Sequence, residues 1–594
     1  MLLSVSAVAQ IARYDSPGVT TTANIGGVPG ILKVVPNANV RICTAASLNP
    51  GIPCTPLATT FTDSTGTVAC PITSQVVLAG TNTCTSTADA FGNFGFWGGA
   101  GLLICQISGG GVATTNVPCG GQSGGSFNVP VETFGAVGDW NGTTGTDNTV
   151  PIQNCLNSLT AGQNCQLLAK AYKVSGTLTI NKSLTGLVGT NTVLTNPAAY
   201  VTAQQSTIIS TSASADIIDV VGTSVSNTIS NTRLSYFTVA RSVIPSGSAK
   251  GISIVFSYGA QVQSVGSADS IYDFYFKGVG CGGIGYIENS EAFWGFNGFT
   301  ETSGNLYGFY VDSAGGVPSQ SLRIRNSTAA QNTSAGAITY GLAAVGILVS
   351  DLHVIHFETG QNINYGEYVN ELTSGFTNGS DLHFVDMIND NCLTFCMQIN
   401  GLTGSLNITG GWSACLVGCS ATLDFESSAN ITLVNHTSTT NASSPAILAH
   451  NSTGISIVDT GIYGSSTTPI VFNGTAGGKV SGASITGSGA TGITMTGSTN
   501  VLVGNNVFGS GVNTGISIDA ASHGIVGLET NTCIPAVGVC ISDAGGNYIF
   551  RTGAGPPGGN CGVGSIYTNT SAASASTVLY VCQPANTWTA ITVP

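Results

Sequence analysis

The chain has 594 residues, of which only 7% are charged, and its formal net charge at pH 7 is −13. Its mean hydropathy of +0.31 and its 42% of hydrophobic residues exclude a largely disordered chain. The 81 glycines, together with many Ser, Thr, Asn and Val residues, disfavour helices and favour strands joined by tight turns. The 14 Lys and Arg residues form no basic cluster, which argues against nucleic acid as a partner. No segment reaches the roughly 18 uninterrupted apolar residues of a membrane-spanning helix.

The amino-terminal region predicts a processed leader followed by a small β-domain. Residues 1–9 end in an Ala-x-Ala pattern and are interpreted as a signal-peptide remnant, the alternative being an ordinary apolar first strand. Alternation within residues 10–125 predicts a β-sandwich. Its run 89–97 resembles the Asp-x-x-Gly-x-Phe strand of carboxypeptidase-regulatory-like and related Ig-like modules. Residues 120–126, rich in Gly and Ser, are a predicted linker.

Cysteine spacing indicates an oxidising compartment, and therefore a secreted or cell-surface protein. There are 17 cysteines, most of them in pairs that bound short loops, which is typical of disulfides. The short-loop pairs are Cys43/Cys54, Cys70/Cys84, Cys105/Cys119, Cys155/Cys165, Cys533/Cys540 and Cys561/Cys582. Cys281 is left without a predicted partner.

A resemblance to a known family begins at Phe134-Gly135-Ala136-Val137-Gly138-Asp139 and continues through Thr146-Asp147-Asn148-Thr149 and Ile152-Gln153. These segments resemble the opening of pectate-lyase-like right-handed parallel β-helix proteins, which include rhamnogalacturonase/epimerase-like domains and phage tailspikes. Trp140, Asn148 and Pro151 depart from the family pattern. The resemblance implies an all-β solenoid, assigned to residues 128–553, with its first strand pair within residues 171–189. A capping helix is expected near residues 148–160, where Asp147 can cap the first turn, so Asp139 and Asp147 are interpreted as structural.

Internal repeats point to the same architecture. Alternating apolar segments begin at Asn430, Gly454, Lys479, Asn500 and Gly524, in steps of 24, 25, 21 and 24 residues. That length suits a coil of three short strands and three turns. Residues 556–594, which contain the pair Cys561/Cys582, are a predicted disulfide-stapled β module.

A second cysteine pattern lies within the repeats. Cys392-x-x-x-Cys396 recurs 23 residues later as Cys415-x-x-x-Cys419. Equivalent positions of adjacent coils stack at about 4.8 Å, within disulfide reach. The expected cross-links are therefore Cys392–Cys415 and Cys396–Cys419, and a four-cysteine zinc site is the alternative.

Aromatic residues are concentrated between residues 272 and 310, with carboxylates interleaved. A glycan-binding groove is one interpretation, because sugar rings stack on aromatic faces; the other is a core with stacked aromatic ladders. The candidate substrate-binding residues are Tyr272, Tyr275, Tyr286, Trp294, Glu288, Glu291, Arg323 and Arg325.

The motif Asp351-Leu352-His353 recurs 30 residues later as Asp381-Leu382-His383. If the two segments stack, carboxylates one or two coils apart would lie at the roughly 5–10 Å used by glycosidases. The candidate acid/base residues are Glu358, Asp381, Asp386 and Asp390, with His353 and His383 assisting. The alternative is a solvated polar ladder or a cation site.

The predicted function is binding a neutral or weakly charged polysaccharide and cleaving it as a glycoside hydrolase-like depolymerase. The Asn-Thr-Asp, Gly-Asp-Asp, Gly-His-Gly and Arg-Ile-Lys signatures of polygalacturonase-type enzymes do not occur, and polysaccharide lyase chemistry is the less favoured mechanism because basic residues are few. The competing hypothesis is a non-catalytic structural or adhesive β-helix, such as a tailspike-like fibre that forms a homotrimer or homopolymer. No cofactor and no metal ligands are predicted, although Ca²⁺ is kept open.

Overall fold

The computed structural model describes residues 11–591 with gaps. The residues outside it are 1–10, 16–19, 26–27, 35–36, 44–53, 56, 63–66, 79–80, 82, 91–93, 100–102, 110–111, 120–126, 191–204, 280–284, 295–303, 315–316, 332–336, 347–348, 361–362, 372–380, 416–417, 441–443, 465, 488–489, 535–536, 548–549, 554–555, 558–560, 562–564, 570, 572–578, 584–586 and 592–594. The predicted leader remnant, the predicted linker and Cys281 therefore lie outside the described residues.

The described elements are 56 strands, one α-helix and short 3₁₀ turns. The strands before the helix are β1 (Ile11–Asp15), β2 (Thr20–Ile25), β3 (Val28–Val34), β4 (Asn39–Cys43), β5 (Thr60–Phe61), β6 (Val76–Val77), β7 (Cys84–Thr85), β8 (Gly95–Gly99), β9 (Leu103–Gly109), β10 (Val112–Cys119) and β11 (Phe127–Pro130). The helix is α1 (Thr149–Ser158).

The strands that follow the helix are β12 (Gln163–Gln166), β13 (Ala171–Val174), β14 (Leu178–Ile180), β15 (Gly186–Val188), β16 (Thr207–Ser210), β17 (Ile218–Val221), β18 (Ile229–Ser230), β19 (Arg233–Arg241), β20 (Lys250–Val255), β21 (Ser257–Tyr258), β22 (Gln261–Ala268), β23 (Tyr272–Lys277), β24 (Gly285–Glu288), β25 (Glu291–Trp294), β26 (Asn305–Asp312), β27 (Ser319–Gln320), β28 (Leu322–Gln331), β29 (Ile338–Val345), β30 (Val349–Ser350), β31 (Leu352–Thr359), β32 (Tyr365–Asn370), β33 (Asp381–Val385), β34 (Ile388–Cys392) and β35 (Phe395–Asn400). The remaining strands are β36 (Ser405–Thr409), β37 (Trp412–Cys415), β38 (Leu423–Glu426), β39 (Ile431–Val434), β40 (Thr437–Thr440), β41 (Ile447–His450), β42 (Thr453–Val458), β43 (Gly461–Gly464), β44 (Ile470–Asn473), β45 (Ala476–Ser481), β46 (Ser484–Ile485), β47 (Ala490–Thr496), β48 (Thr499–Gly504), β49 (Val507–Phe508), β50 (Val512–Ile518), β51 (Thr532–Cys533), β52 (Val539–Asp543), β53 (Phe550–Gly553), β54 (Ile566–Asn569), β55 (Leu579–Cys582) and β56 (Trp588–Ile591).

The chain divides into two compact units, the first made of Met1–Thr133, Cys155–Gln166 and Lys182–Leu187, and the second of Phe134–Asn154, Leu167–Asn181 and Val188–Pro594. In the first unit, two three-stranded antiparallel sheets, β1-β8-β5 and β10-β9-β4, enclose one apolar core. Phe96 of one sheet and Val40 and Ile42 of the other are buried in that core. This arrangement is the predicted β-sandwich.

The solenoid is built from two long parallel sheets of 24 and 14 strands. Each regular coil contributes three strands, for example β36, β37 and β38, and every strand pairs with its equivalent one coil further on. Side chains alternate between the interior and the surface, as the period of two along a strand requires. Leu382, Leu406 and Ile431 therefore stack inside the solenoid with no exposed surface. The predicted parallel β-helix with its smaller flanking β regions is confirmed.

A left-handed backbone residue separates the first and second strands of each regular coil. Asp386, Asn435 and Asp459 occupy this bend with φ of 56°, 55° and 49°. Asn and Asp tolerate this conformation better than other residues with a side chain. The bend consequently turns the chain at the same position in successive coils and preserves the register between them.

The disulfides confirm the short-loop pattern and correct the pairing within the repeats. The structure joins Cys43–Cys54, Cys70–Cys84, Cys155–Cys165, Cys533–Cys540 and Cys561–Cys582. Cys105 is also disulfide-bonded, whereas the side chain of Cys119 lies outside the described residues. Cys392 and Cys415 are register partners as expected, yet each bonds within its own coil, in the pairs Cys392–Cys396 and Cys415–Cys419. The turn after the second strand brings the two Cα atoms to 5.1 Å in Cys392–Cys396 and to 6.2 Å in Cys415–Cys419. Each bond therefore spans a turn within one coil and does not link adjacent coils.

The predicted helix and the carboxyl-terminal module are both present. Asp147 accepts a hydrogen bond from the backbone N–H of Thr149 at 2.9 Å, at the start of α1, and Asp139 accepts from the backbone N–H of Thr146 at 2.7 Å. These bonds support the structural interpretation of both carboxylates. The last sheet, β53-β54-β55-β56, begins at Phe550, which lies inside the range assigned to the solenoid. None of the described helices is both long and apolar enough to cross a membrane.

A polar network is buried inside the coils. Thr359 Oγ1 donates to Asn389 Oδ1 at 2.6 Å, and Asn389 Nδ2 donates to Glu367 Oε2 at 2.8 Å and to Ser413 Oγ at 3.3 Å. His436 Nε2 lies 3.1 Å from Ser413 Oγ. Burial raises the pKa of Glu367 to about 8 and lowers the pKa of His436. At neutral pH the interior is therefore polar but largely uncharged, which limits the cost of burying it.

Substitution of Gly411 by Ala is expected to destabilise the solenoid more than substitution of its neighbour Gly410. Both have positive φ, so each Ala costs about 1–2 kcal/mol of backbone strain. A Cβ on Gly411 would also meet the carbonyl oxygen of Met387 at 2.2 Å, while the nearest atom to a Cβ on Gly410 is at 3.9 Å. Urea unfolding followed by circular dichroism should give a loss above about 3 kcal/mol for Gly411→Ala. Equal losses for the two variants would contradict this packing.

The free energy of unfolding should fall as the pH rises from about 4.5 to about 8. The pKa of Glu367 rises to about 8 on folding, so over this interval the unfolded chain loses a proton that the folded chain keeps. The contribution of Glu367 to the free energy of unfolding is complete below the pKa of its carboxyl group in the unfolded chain. It is lost above the pKa of that group in the folded chain. Glu367→Gln should remove this part of the pH dependence, on the order of a few kcal/mol, in urea titrations at several pH values. Glu529→Gln, at an exposed position, is the control and should leave it unchanged.

Candidate functional site

One row of outward-facing side chains joins the two segments that the sequence marked as separate clusters. Tyr286, Arg323, His353, His383 and Asn407 are register partners on β24, β28, β31, β33 and β36. All five are half-buried or exposed, whereas the residues that follow them in the strands point inward and are buried. We call these five residues the polar row. Consecutive members are about 4.8 Å apart along the solenoid, which is the spacing of neighbouring strands.

Two members of the polar row, Arg323 and His353, form a hydrogen-bonded group with Asp351. Arg323 Nη1 donates to the carbonyl oxygen of Asp351 at 2.7 Å, and its Nη2 lies 3.2 Å from Asp351 Oδ1. Ser321 Oγ donates to Asp351 Oδ2 at 2.8 Å. Burial opposes ionisation of Asp351, but the bonds from Ser321 and Arg323 and the Arg323 charge hold the pKa of Asp351 below its usual value. Asp351 is consequently a fixed negative charge beside His353.

The two histidines of the repeated motif lie against each other, as the repeat predicts. The ring centroids of His353 and His383 are 4.5 Å apart. Burial, Arg323 and His383 together lower the pKa of His353, so its ring is neutral at neutral pH. Nε2 of His353 lies 2.9 Å from Asp351 Oδ1, and an ionised carboxylate can only accept. The proton is therefore on Nε2, and Nδ1 is left able to accept a hydrogen bond.

The predicted acid/base residues are distributed on both sides of the bend. Asp381 precedes His383 at the start of β33 and accepts from Ser405 Oγ at 2.7 Å. Asp386 lies at the bend itself, with its Oδ2 2.8 Å from His356 Nδ1. Glu358 and Asp390 lie beyond the bend of their coils, Glu358 near the end of β31 and Asp390 on β34. The register pairs Glu358 with Ile388, so it does not place Glu358 directly beside Asp390.

A second outward row contains two carboxylates that the sequence did not link. Glu291, Thr328, Glu358, Ile388 and Trp412 are register partners on five consecutive coils. We call them the carboxylate row. Glu291 and Glu358 are separated by one residue, Thr328, and hence by two coil spacings of about 4.8 Å. Trp412 is half-buried and was missed by sequence reasoning, because no motif marks an isolated Trp as outward-facing.

The two carboxylates of the carboxylate row differ in environment. Glu291 is half-buried, and burial raises its pKa to about 7. Glu358 is exposed. A half-buried carboxyl group with a raised pKa and an exposed carboxyl group on the same side of a sheet are the components of general acid and general base catalysis.

The other predicted substrate-binding residues lie in different surroundings. Trp294 is fully buried and its Nε1 donates to the carbonyl oxygen of Ser270 at 3.2 Å, so it is a core residue that cannot contact a surface glycan. Glu288 and Arg325 are register partners beside the polar row.

Tyr272 and Tyr275 belong to a tyrosine ladder on the 14-stranded sheet. Ring centroids are separated by 4.9 Å for Tyr272–Tyr307, 4.8 Å for Tyr307–Tyr340 and 4.6 Å for Tyr340–Tyr365, with the rings stacked in every case. Tyr275 packs edge-on against Tyr272. The ring faces of Tyr307 and Tyr340 are covered by their neighbours, so the ladder offers edges and hydroxyl groups rather than flat platforms.

Three residues on the third strands could hold a metal ion. Asp424 and Glu426 of β38 and His450 of β41 place one ligand atom each within 4.8 Å of the others. Sequence reasoning missed this group, although His450 follows Glu426 by 24 residues, the length of one coil.

Comparisons with known proteins find similarity of fold. No protein-family model matches the chain, and a search of curated proteins finds no match. Tailspike protein 3 of bacteriophage CBA120 has 11% identity, a TM-score of 0.46, and coverage of 78% of this chain and 70% of that one. The amino-terminal fragment of bacteriophage Phi29 gene product 12 has 14% identity, a TM-score of 0.46, and coverage of 72% and 75%. The GH87 α-1,3-glucanase catalytic unit from Streptomyces thermodiastaticus has 12% identity, a TM-score of 0.33, and coverage of 88% of both chains.

Substitution of Arg323 by Gln should raise the pKa of His353. Arg323 is one of the positive charges that hold this pKa down, so its removal favours the imidazolium form. Histidine NMR titration, with the His353 signal assigned by its loss in His353→Ala, measures the change. Arg325→Gln, two residues along the same strand, is the control and should leave the titration unchanged. An unchanged or lower pKa in Arg323→Gln would contradict the described geometry.

Proposed function

We propose that the chain is a secreted polysaccharide-binding protein that cleaves a neutral or weakly charged glycan as an inverting glycoside hydrolase. The observation that carries this proposal is the carboxylate row, in which a half-buried Glu291 and an exposed Glu358 face the same side two coils apart. Two coil spacings amount to about 10 Å between strands. Flexible Glu side chains bring this separation into the roughly 6.5–9.5 Å that inverting enzymes use.

The environments assign the two roles. Burial raises the pKa of Glu291 to about 7, so below that pH Glu291 holds a proton, which it donates to the glycosidic oxygen as the bond to the anomeric carbon breaks. Glu358 accepts a proton from a water molecule, whose oxygen attacks the anomeric carbon from the opposite face of the sugar. The product has inverted configuration, and proton exchange with solvent restores both carboxyl groups.

Neighbouring side chains supply binding. Trp412 lies two coils beyond Glu358 in the same row and provides an aromatic surface for a sugar ring. The polar row runs parallel to the carboxylate row, on the part of each coil that precedes the left-handed bend, and provides hydrogen-bond donors and acceptors at one-coil intervals. In this proposal Asp381, Asp386 and Asp390 position substrate, together with His353 and His383.

Charge and disulfides support the substrate class and the compartment. A net charge of −13 disfavours a polyanionic glycan as substrate, because the chain has few Lys and Arg residues that could neutralise the negative charges of such a glycan. Disulfides in both units are typical of proteins in oxidising compartments.

Reducing-sugar release on a panel of neutral polysaccharides should therefore be abolished or reduced about 10²–10⁴-fold in Glu291→Gln and in Glu358→Gln. Activity of the wild type should fall as the pH rises above about 7, because the acid loses its proton. NMR of the first-formed product should detect the inverted anomer. The control Glu529→Gln, at an exposed position on a late coil, should retain full activity.

Trp412→Ala tests glycan binding separately from catalysis, because it leaves Glu291 and Glu358 in place. This variant should be retarded less by the glycan in affinity electrophoresis than the wild type. If no polysaccharide is hydrolysed and neither Gln variant changes glycan retention, the hydrolase proposal fails. The chain would then be interpreted as a structural or adhesive β-helix, and light scattering would establish whether it forms a homotrimer or homopolymer.

A further inference from the structure

Asp424, Glu426 and His450 converge on the outer face of the 14-stranded sheet. Asp424 and Glu426 are two residues apart on β38, so both point outward, while Leu423 and Phe425 are buried. His450 of β41 is the register partner of Glu426 on the next coil. Its Nε2 lies 2.9 Å from Asp424 Oδ1. One imidazole nitrogen and two carboxylate oxygens therefore lie within 4.8 Å of one another on rigid adjacent strands.

The carboxyl group of Asp424 is enclosed by its neighbours, since the residue is only 2% exposed. Gln398 Nε2 donates to Asp424 Oδ2 at 3.0 Å and so fixes the orientation of the buried carboxylate. An orienting bond of this kind is what metal ligands commonly receive from a neighbouring side chain.

We propose that Asp424, Glu426 and His450 bind one divalent transition-metal ion of the Zn²⁺ class. Imidazole together with carboxylate is a donor set that suits Zn²⁺, whereas Ca²⁺ takes six to eight oxygen ligands. Three protein ligands leave a coordination position for water or for a substrate oxygen. The ion would also join adjacent coils through β38 and β41, so its binding should stabilise the folded chain.

The proposal is independent of the proposed hydrolase, because Glu291 and Glu358 lie on the 24-stranded sheet and these ligands on the 14-stranded sheet. Either one can fail without the other.

The test uses the full chain. After treatment with a chelator and dialysis, titration calorimetry with ZnCl₂ should give one site per chain, and elemental analysis should find one zinc. Glu426→Gln and His450→Ala should each weaken the affinity about 100-fold and abolish the zinc-dependent increase in melting temperature. His523→Ala and Glu529→Gln, which change exposed residues of the same types, are the matched controls.

Acidification should weaken zinc binding, since only a neutral imidazole coordinates a metal. Circular dichroism checks that the variants fold. Because Glu426 is half-exposed, we expect Glu426→Gln to disturb folding less than His450→Ala. Absence of saturable zinc binding by the folded wild type would overturn the proposal. So would zinc binding that persists in both variants, or Ca²⁺ binding of equal affinity that the same variants abolish.

Discussion

Parallel hydrogen bonding between successive coils is the constraint on which the solenoid and its surfaces depend. Each strand pairs with its equivalent one coil away, which fixes about 4.8 Å between neighbours. Left-handed residues such as Asp386 and Asn435 turn the chain at the same position in successive coils and so keep the pairs in register. A slip of one residue would exchange the inward and outward side chains of a strand. Core packing and surface chemistry are consequently set together.

Because of this register, charged residues that are few and scattered in the sequence lie in distinct rows on the surface of the solenoid. Glu291 and Glu358 lie 67 positions apart in the sequence, yet one intervening coil places them on one row. Burial raises the pKa of Glu291 to about 7, whereas Glu358 is exposed. The polar row, which precedes the bend of each coil, uses the same spacing to align hydrogen-bonding groups.

Equivalent positions of successive coils also stack in the interior of the solenoid and on the third strands of the coils. Glu367, Asn389 and Ser413 stack inside the coils as a neutral hydrogen-bonded network, where a charged group would be costly. On the outside of the 14-stranded sheet, Tyr272, Tyr307 and Tyr340 stack over successive coils. In the neighbouring row, Tyr368, Gln398 and Asp424 are register partners. A ladder of identical residues is readily accommodated in this fold, because each position has the same surroundings as the equivalent position in the preceding coil.

The sequence by itself determined the fold class, the approximate coil length, the short-loop disulfides and the contact between His353 and His383. Periodic alternation, turn residues and cysteine spacing are local signals, and they repeat often enough to be read directly. Only the tertiary structure decided that Glu291 and Glu358 share a row, that Trp294 is buried, and that Cys392 bonds to Cys396 rather than to Cys415. The physical reason is that turns of different length separate the strands, so sequence distance does not give the register. Which side chains meet is fixed by the hydrogen bonds between coils.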